Sequence, residues 1–228
     1  MEINADFDRR VALHADRLPW VSSPTPGVER RMLDRVGEEV ARATSIVRYA
    51  PGSNFPRHVH GGGEEFLVLE GVFSDENGDM PQGTYVRNPP GSAHSPRSAE
   101  GCTIFVKLWQ FQPDDNLTVR LPSDQIVFAP DALRPGVHVA LLHEHPDEFV
   151  RLEQWEPDQV VTLDLPSGGE FLVLDGTFVE CGERFERQSW LRLPPGALLH
   201  AEAGPEGCLA WAKTRHLGHD EAERCFAG

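Results

Sequence analysis

The sequence predicts an all-β chain in which one barrel or sandwich is built twice. Strand-like runs and turn signals alternate about every eight to twelve residues, the rhythm of a closed or double-layered sheet. Glycine and proline are abundant, at 21 and 19 residues, which suits many short strands joined by turns. The third observation is a repeat. Glu65-Phe66-Leu67-Val68-Leu69-Glu70-Gly71 returns as Glu170-Phe171-Leu172-Val173-Leu174-Asp175-Gly176. Pro89-Pro90-Gly91 returns as Pro194-Pro195-Gly196, and Glu100-Gly101-Cys102 as Glu206-Gly207-Cys208. The offsets are 105, 105 and 106 residues.

Taken in order, residues 1–19 are polar, with a weak helical pattern in Phe7, Val11 and Leu18, and predict a short helix or an arm. Trp20 to Gly27 is a loop rich in Pro and Ser. Val28 to Val36 and Val40 to Tyr49 read as strands around Gly37. Phe66 to Leu69 is the short apolar run of a buried strand, with Gly71 opening the next turn, and Ser74 to Gly83 forms an acidic hairpin loop. The second copy follows a boundary near residues 112–130. Within it Trp155 matches Tyr49 and is expected in the core.

Composition narrows the function classes. The net charge of −15 would be repelled by phosphate backbones, so no nucleic-acid partner is expected. No apolar run is long enough for a signal peptide or a membrane span, so no membrane association and a cytoplasmic location are expected. Cys102, Cys181, Cys208 and Cys225 form no C-x-x-C pair and are expected as free thiols, with Cys102 and Cys208 in the core.

The chemistry concentrates between Gly52 and His94. His58 and His60 point the same way along a strand, because side chains alternate faces. Gly61-Gly62-Gly63 permits a tight turn that returns Glu64 toward them. His94 arrives from a neighbouring strand after the rigid turn Asn88-Pro89-Pro90-Gly91. Three imidazoles and a carboxylate are ligands suited to a first-row metal ion. Glu65 faces the opposite side of the strand and is expected as a supporting or structural carboxylate, as is Tyr85 at the level of a supporting group. Arg87 and Lys107 are expected to be structural. His143-Glu144-His145 with Glu148 has a tempting composition, but it falls upstream of the ligand positions in the repeat and is expected as a solvated strand end. His216 and His219 have no partner pattern.

The second copy lacks this chemistry. At an offset of 105 the positions of His58, His60 and Glu64 hold Leu163, Leu165 and Gly169; at 106 they hold Asp164, Pro166 and Glu170. Only His200 can match His94, if the one-residue insertion precedes it. The second copy is therefore expected to have a filled, dry interior.

The motif pair resembles the two motifs of the cupin superfamily, departing where the second motif usually continues to an Asn and this chain has Ser98. Arg48-Tyr49-Ala50-Pro51-Gly52, His58-Val59-His60, Gly63-Glu64-Glu65, Leu67 to Phe73 and Tyr85 to Ser92 resemble in particular the cupin domain of ChrR-type anti-sigma factors. The resemblance implies two tandem double-stranded β-helix barrels, a bicupin: residues 1–115 with the metal ligands His58, His60, Glu64 and His94, and residues 116–228 without them. It implies one divalent ion per chain, zinc first, with iron, manganese or nickel as alternatives, and a homodimer.

Two functions follow from the resemblance. The first is a zinc-dependent regulator or sensor linked to a sigma factor and oxidative stress. Anti-sigma factors of that type grip their partner with an N-terminal helical zinc module bearing His and Cys ligands. Here no Cys precedes Cys102 and only His14 precedes His58, so sequestration of a sigma factor by that module is not expected. The second is a non-haem Fe(II) or Mn(II) dioxygenase acting on a small diketone or hydroxy-ketone.

Overall fold

A computed structural model describes residues 1–38 and 40–218. His219 and Cys225 lie outside the described residues. The chain is all-β and divides into two compact units. One comprises Met1–Ala5 and Leu18–Gln125; the other comprises Asp6–Arg17 and the chain from Ile126 onward. The division thus departs from a cut at 115/116 in two ways: it falls ten residues later, and a segment from the N-terminus joins the second unit. No helix among the described residues is long and apolar enough to cross a membrane.

In the first unit, hydrogen-bonded neighbours run Glu2–Ile3, Val28–Gly37, Ala41–Tyr49, Cys102–Leu108, Glu64–Asp75, Tyr85–Asn88 and Val119–Leu121, all antiparallel. Glu64–Leu69 is buried along its whole length, so its sequence is a near-continuous apolar run and not an alternation. Its inner face carries Phe66 and Val68 into a core with Phe73, Met80, Val86, Cys102, Ile104 and Val106. Gly71 opens no turn. The strand continues to Asp75, past a register shift opposite Thr103 and Ile104. Gly71 sits there at φ +72°, and a Cβ on it would lie 2.2 Å from the Gly101 carbonyl oxygen. A positive φ this close to another backbone requires glycine.

In the second unit the order is Ala129–Pro130, Val137–His145, Glu148–Trp155, Ala197–Thr214, Gly169–Glu180, Ser189–Leu193 and Val11–His14, with Val160–Leu165 on the far part of Ala197–Thr214. Val11–His14 pairs Ser189–Leu193 just as Val119–Leu121 pairs Tyr85–Asn88 in the first unit. The expected helix or arm at the N-terminus is therefore an arm, and each unit is completed by the segment that precedes the other unit's main body. Phe7 lies under the Arg192 guanidinium at 4.3 Å, as Phe111 lies under Arg87 at 4.1 Å.

The core of the second unit includes Trp155, Leu165, Phe171, Val173, Phe178, Leu191, Leu199, Cys208 and Ala210. Trp155 is buried and donates its indole N–H to Glu153 at 2.7 Å. Cys102, Cys181 and Cys208 are free thiols; Cys102 and Cys208 are buried, and burial next to Glu153 and Asp175 pushes the Cys208 thiol up to about 12. His143 departs from expectation: it is buried within Val137–His145 and is not solvated. His216 is also buried, 2.8 Å from Glu170 Oε1.

Candidate metal centre

Within the first unit, His58–Val59 and Ala93–His94 form a separate two-stranded ladder in which His58 stands directly opposite His94. The ladder extends by backbone bonds from His60 N to Ser92 O (2.9 Å) and from Gly91 N to His60 O (2.8 Å). Two-residue side-chain periodicity then sets His58 and His60 on one face with His94 across from them. The three ring centroids lie 4.6–5.0 Å apart, each pair edge to face. One nitrogen from each ring lies within 4.8 Å of the other two, so the three histidines form a group able to hold a metal ion. His60 and His94 are buried and His58 is exposed.

The turn after His60 is set by what lies over it. A Cβ on Gly62 would fall 2.2 Å from the Trp109 ring, and one on Gly63, at φ +78°, 2.4 Å from the Phe111 ring. Glycine is needed there for close aromatic cover as well as for the turn. The turn delivers Glu64 to the first position of its strand, on the same face as Phe66 and Val68. Its Oε2 lies 3.5 Å from His60 Nε2 and 3.6 Å from His94 Nε2, and accepts from Asn88 Nδ2 at 3.1 Å.

The outward nitrogens of His60 and His58 have acceptors, and that of His94 faces a carboxylate beyond hydrogen-bond reach. The Ser92 hydroxyl donates to the Pro89 carbonyl at 2.5 Å, so its oxygen accepts from His60 Nδ1–H at 3.1 Å. That fixes the proton on Nδ1 and leaves the Nε2 lone pair facing inward. His58 Nδ1 lies 3.4 Å from the Pro56 carbonyl, and His94 Nδ1 lies 3.5 Å from Asp75 Oδ2. Asp75 is itself held by Arg120, with Nη1 at 3.2 Å from Oδ1. The sequence reading missed Ser92, Asp75 and Asn88.

Chemistry at the inner nitrogens fits a cation. His60 Nε2 and His58 Nε2 are 3.2 Å apart, about the separation of two imidazole ligands that share one ion at roughly 2.1 Å. Both His94 nitrogens are buried without a hydrogen-bond partner, which is costly unless another group satisfies them. Burial and the neighbouring His58 push His60 down to about 4, and burial also lowers His94, so both rings are neutral ligands near pH 7.

Glu65 and Tyr85 occupy the other face. Tyr85 donates to Glu65 at 2.8 Å, Arg87 pairs with Glu65 at 3.2 Å and with Asp115 at 2.6 Å, and Lys107 donates to Thr44 at 2.9 Å. The same layer recurs in the second unit as Glu170, Trp190, Arg192 and Lys213, with Trp190 donating to Glu170 at 3.2 Å. A layer repeated where the histidines are absent reads as structural support of the strand.

The second unit shows where the insertion falls. Leu163 pairs Leu199 as His58 pairs His94, so Leu199 is the counterpart of His94. His200 is exposed and lies 3.2 Å from Thr162. Among the described residues, the group of His58, His60 and His94 is the only such cluster.

A cavity of about 460 Å³ opens over the centre. Its walls include His58, His60 and Glu64, the apolar Val47, Phe55, Val106 and Leu108, and the guanidinium-bearing Arg30 and Arg35.

The family model of the ChrR cupin-like domain matches residues 8–112. No protein of curated function matches the chain in sequence. Among solved structures, a candidate dioxygenase of Nostoc punctiforme is similar at 16% identity, with a TM-score of 0.77 over 94% of this chain and 86% of that one. The bacterial pirin YhhW of Escherichia coli, in complex with nickel(II), is similar at 14% identity and a TM-score of 0.67, over 90% and 99% of the two chains. Oxalate decarboxylase of Lactobacillus farciminis, in a formate complex, matches at 10% identity and a TM-score of 0.63, over 90% and 86%. Identities this low carry the fold alone. Residues 8–112 thus match a cupin-like family model, and the chain as a whole shares the fold of these solved structures.

Proposed function

We propose that His58, His60, Glu64 and His94 hold one divalent ion, and that the chain is an enzyme of the non-haem dioxygenase type acting on a small oxygen-bearing organic molecule. The observation that carries this is the cavity of about 460 Å³ walled by three of those four residues. A closed structural zinc site needs no such space beside it, whereas a catalytic site keeps ligand positions open. Iron(II) or manganese(II), when bound, would supply Lewis acidity and redox chemistry. The chain's own part is to hold three imidazoles beside Ser92, Asp75 and the Pro56 carbonyl, and to set Glu64 through Asn88. Diketones and hydroxy-ketones, with two neighbouring oxygens, are the substrates to try first. The test is metal analysis of protein purified without added metal, followed by oxygen uptake with those compounds. Zinc at full occupancy with no uptake by the iron- or manganese-loaded protein would reject the reading.

A second reading is favoured by the ChrR cupin-like match: a zinc-dependent regulator tied to a sigma factor and oxidative stress. Its test is native zinc together with a stable complex in a pull-down against the sigma factors of the source organism. The nickel(II) of the E. coli pirin adds nickel to the ions worth measuring.

A further inference from the structure

We infer that the cavity takes an organic acid, its carboxylate bound by Arg30 beside Arg35 and its oxygen-bearing far end turned toward the metal ligands. This deepens the enzymatic reading and rests on it for the metal end only.

The chain carries 36 carboxylates against 21 basic side chains, so a cation has an excess of counter-ions to choose from. The neighbouring arginines on Val28–Gly37 and Ala41–Tyr49 have found partners. Arg48 pairs with Glu29 and lies 4.3 Å from the Trp20 ring centroid; Arg31 packs on the same ring at 4.3 Å; Arg42 lies 3.8 Å from Asp34. Arg30 differs. Its one hydrogen bond among the described residues goes to the neutral Ser23 hydroxyl at 2.9 Å, and Ser23 is also a cavity wall. No carboxylate among the described residues pairs with it. Burial and the nearby positive Arg35 both push its guanidinium down. Arg35 also lines the cavity and donates to the Glu38 carbonyl.

A half-buried guanidinium facing a second one, with no anion placed against it, is an unfavourable arrangement that a bound carboxylate would relieve. Among the described residues Glu64 is the only acidic wall of the cavity, and it is already turned to His60 and His94. The lining is therefore of three kinds: cationic at Arg30 and Arg35, metal-ligating in type at His58, His60 and Glu64, and apolar at Val47, Phe55, Val106 and Leu108. A short-chain acid with an apolar body and a carbonyl or hydroxyl group away from its carboxylate matches all three features. A neutral diketone would leave the guanidinium unpaired.

The test compares 5-oxohexanoate with its methyl ester by titration calorimetry on the full chain, with metal content measured on each sample. The ester keeps the body and ketone and removes the charge. The acid should bind about tenfold more tightly or better. Arg30→Gln should bring the two affinities together while metal content and the unfolding transition stay at parental values, and Arg30→Lys should restore part of the preference. Equal affinities in the parent, binding of neither compound, or a preference that survives Arg30→Gln would overturn the inference. Protein that holds no metal yet still prefers the acid through Arg30 would refute the enzymatic reading and leave the acid-binding end standing.

Discussion

In the first barrel the ladder of His58–Val59 and Ala93–His94 sets two imidazoles opposite each other; in the second the equivalent ladder sets Leu163 against Leu199. The substitution is complete at all four positions, His58 to Leu163, His60 to Leu165, Glu64 to Gly169 and His94 to Leu199. Leu165 and Leu199 are fully in the core, at 1% and 0% exposure, and Leu163 packs against it. A Cβ at Gly169 would meet Leu165 Cδ2 at 2.9 Å. Leucine has thus taken space that a longer side chain at 169 would need. The buried layer of Glu65, Tyr85, Arg87 and Lys107 persists as Glu170, Trp190, Arg192 and Lys213. One fold is therefore stabilised in two ways at its centre: by apolar filling in one copy, and by polar residues that a cation would satisfy in the other. The strand-supporting layer is common to both and separable from the metal chemistry.

That separation can be broken at adjacent residues. Glu65→Ala should destabilise the first barrel by about 3–5 kcal/mol, because it strips one carboxylate from the buried Arg87, and should spare metal affinity in the fraction that folds. Glu64→Ala should do the reverse, removing most metal with a smaller loss of stability. Denaturation and metal content of both variants read this; equal metal loss from the two would erase the distinction of faces.

In the second barrel, Leu165→Ala should cost about 2–5 kcal/mol of stability by opening a core cavity, with metal stoichiometry unchanged. A smaller effect is expected at Ser92→Ala, which frees His60 Nδ1 to change tautomer. Metal affinity should fall about 10- to 100-fold, measured by competition with a chelator, with stability of the metal-free protein little altered.

The smallest expected effect is on pH. In metal-free protein His60 lies at about 4, below the ordinary 6.5, so protonation favours the unfolded state. The contribution of this group is present above about pH 6.5 and is lost as pH falls toward 4. Nitrogen-15 spectra of the metal-free protein at pH 5.5 should show His60 neutral; a protonated ring there would contradict the burial argument.

The repeat, the strands and the convergence of His58, His60, Glu64 and His94 were legible because side-chain periodicity and turn residues are local signals. What was not legible depends on distant partners. Nothing near Asp6–Arg17 says that it completes the second unit, since its pairing residues Ser189–Leu193 are far along the chain. Ser92 and Asp75 acquire meaning only once the ladder brings them to His60 and His94. Spacing read the glycine triplet as a turn, but the cover of Trp109 and Phe111 is a tertiary fact. The one-residue insertion left Leu199 and His200 undecided until strand register placed the first inward. His216, with no local pattern, lies beyond the last strand and is held by Glu170 of Gly169–Glu180.

Metal stoichiometry tests most directly whether one barrel holds a cation and the other excludes it. Parent protein and His58→Ala/His60→Ala, purified without added metal, are analysed for divalent ions per chain. One ion is expected in the parent and none in the double variant. Two ions per chain, or one retained in the variant, would contradict it and place a site where the second barrel has leucine.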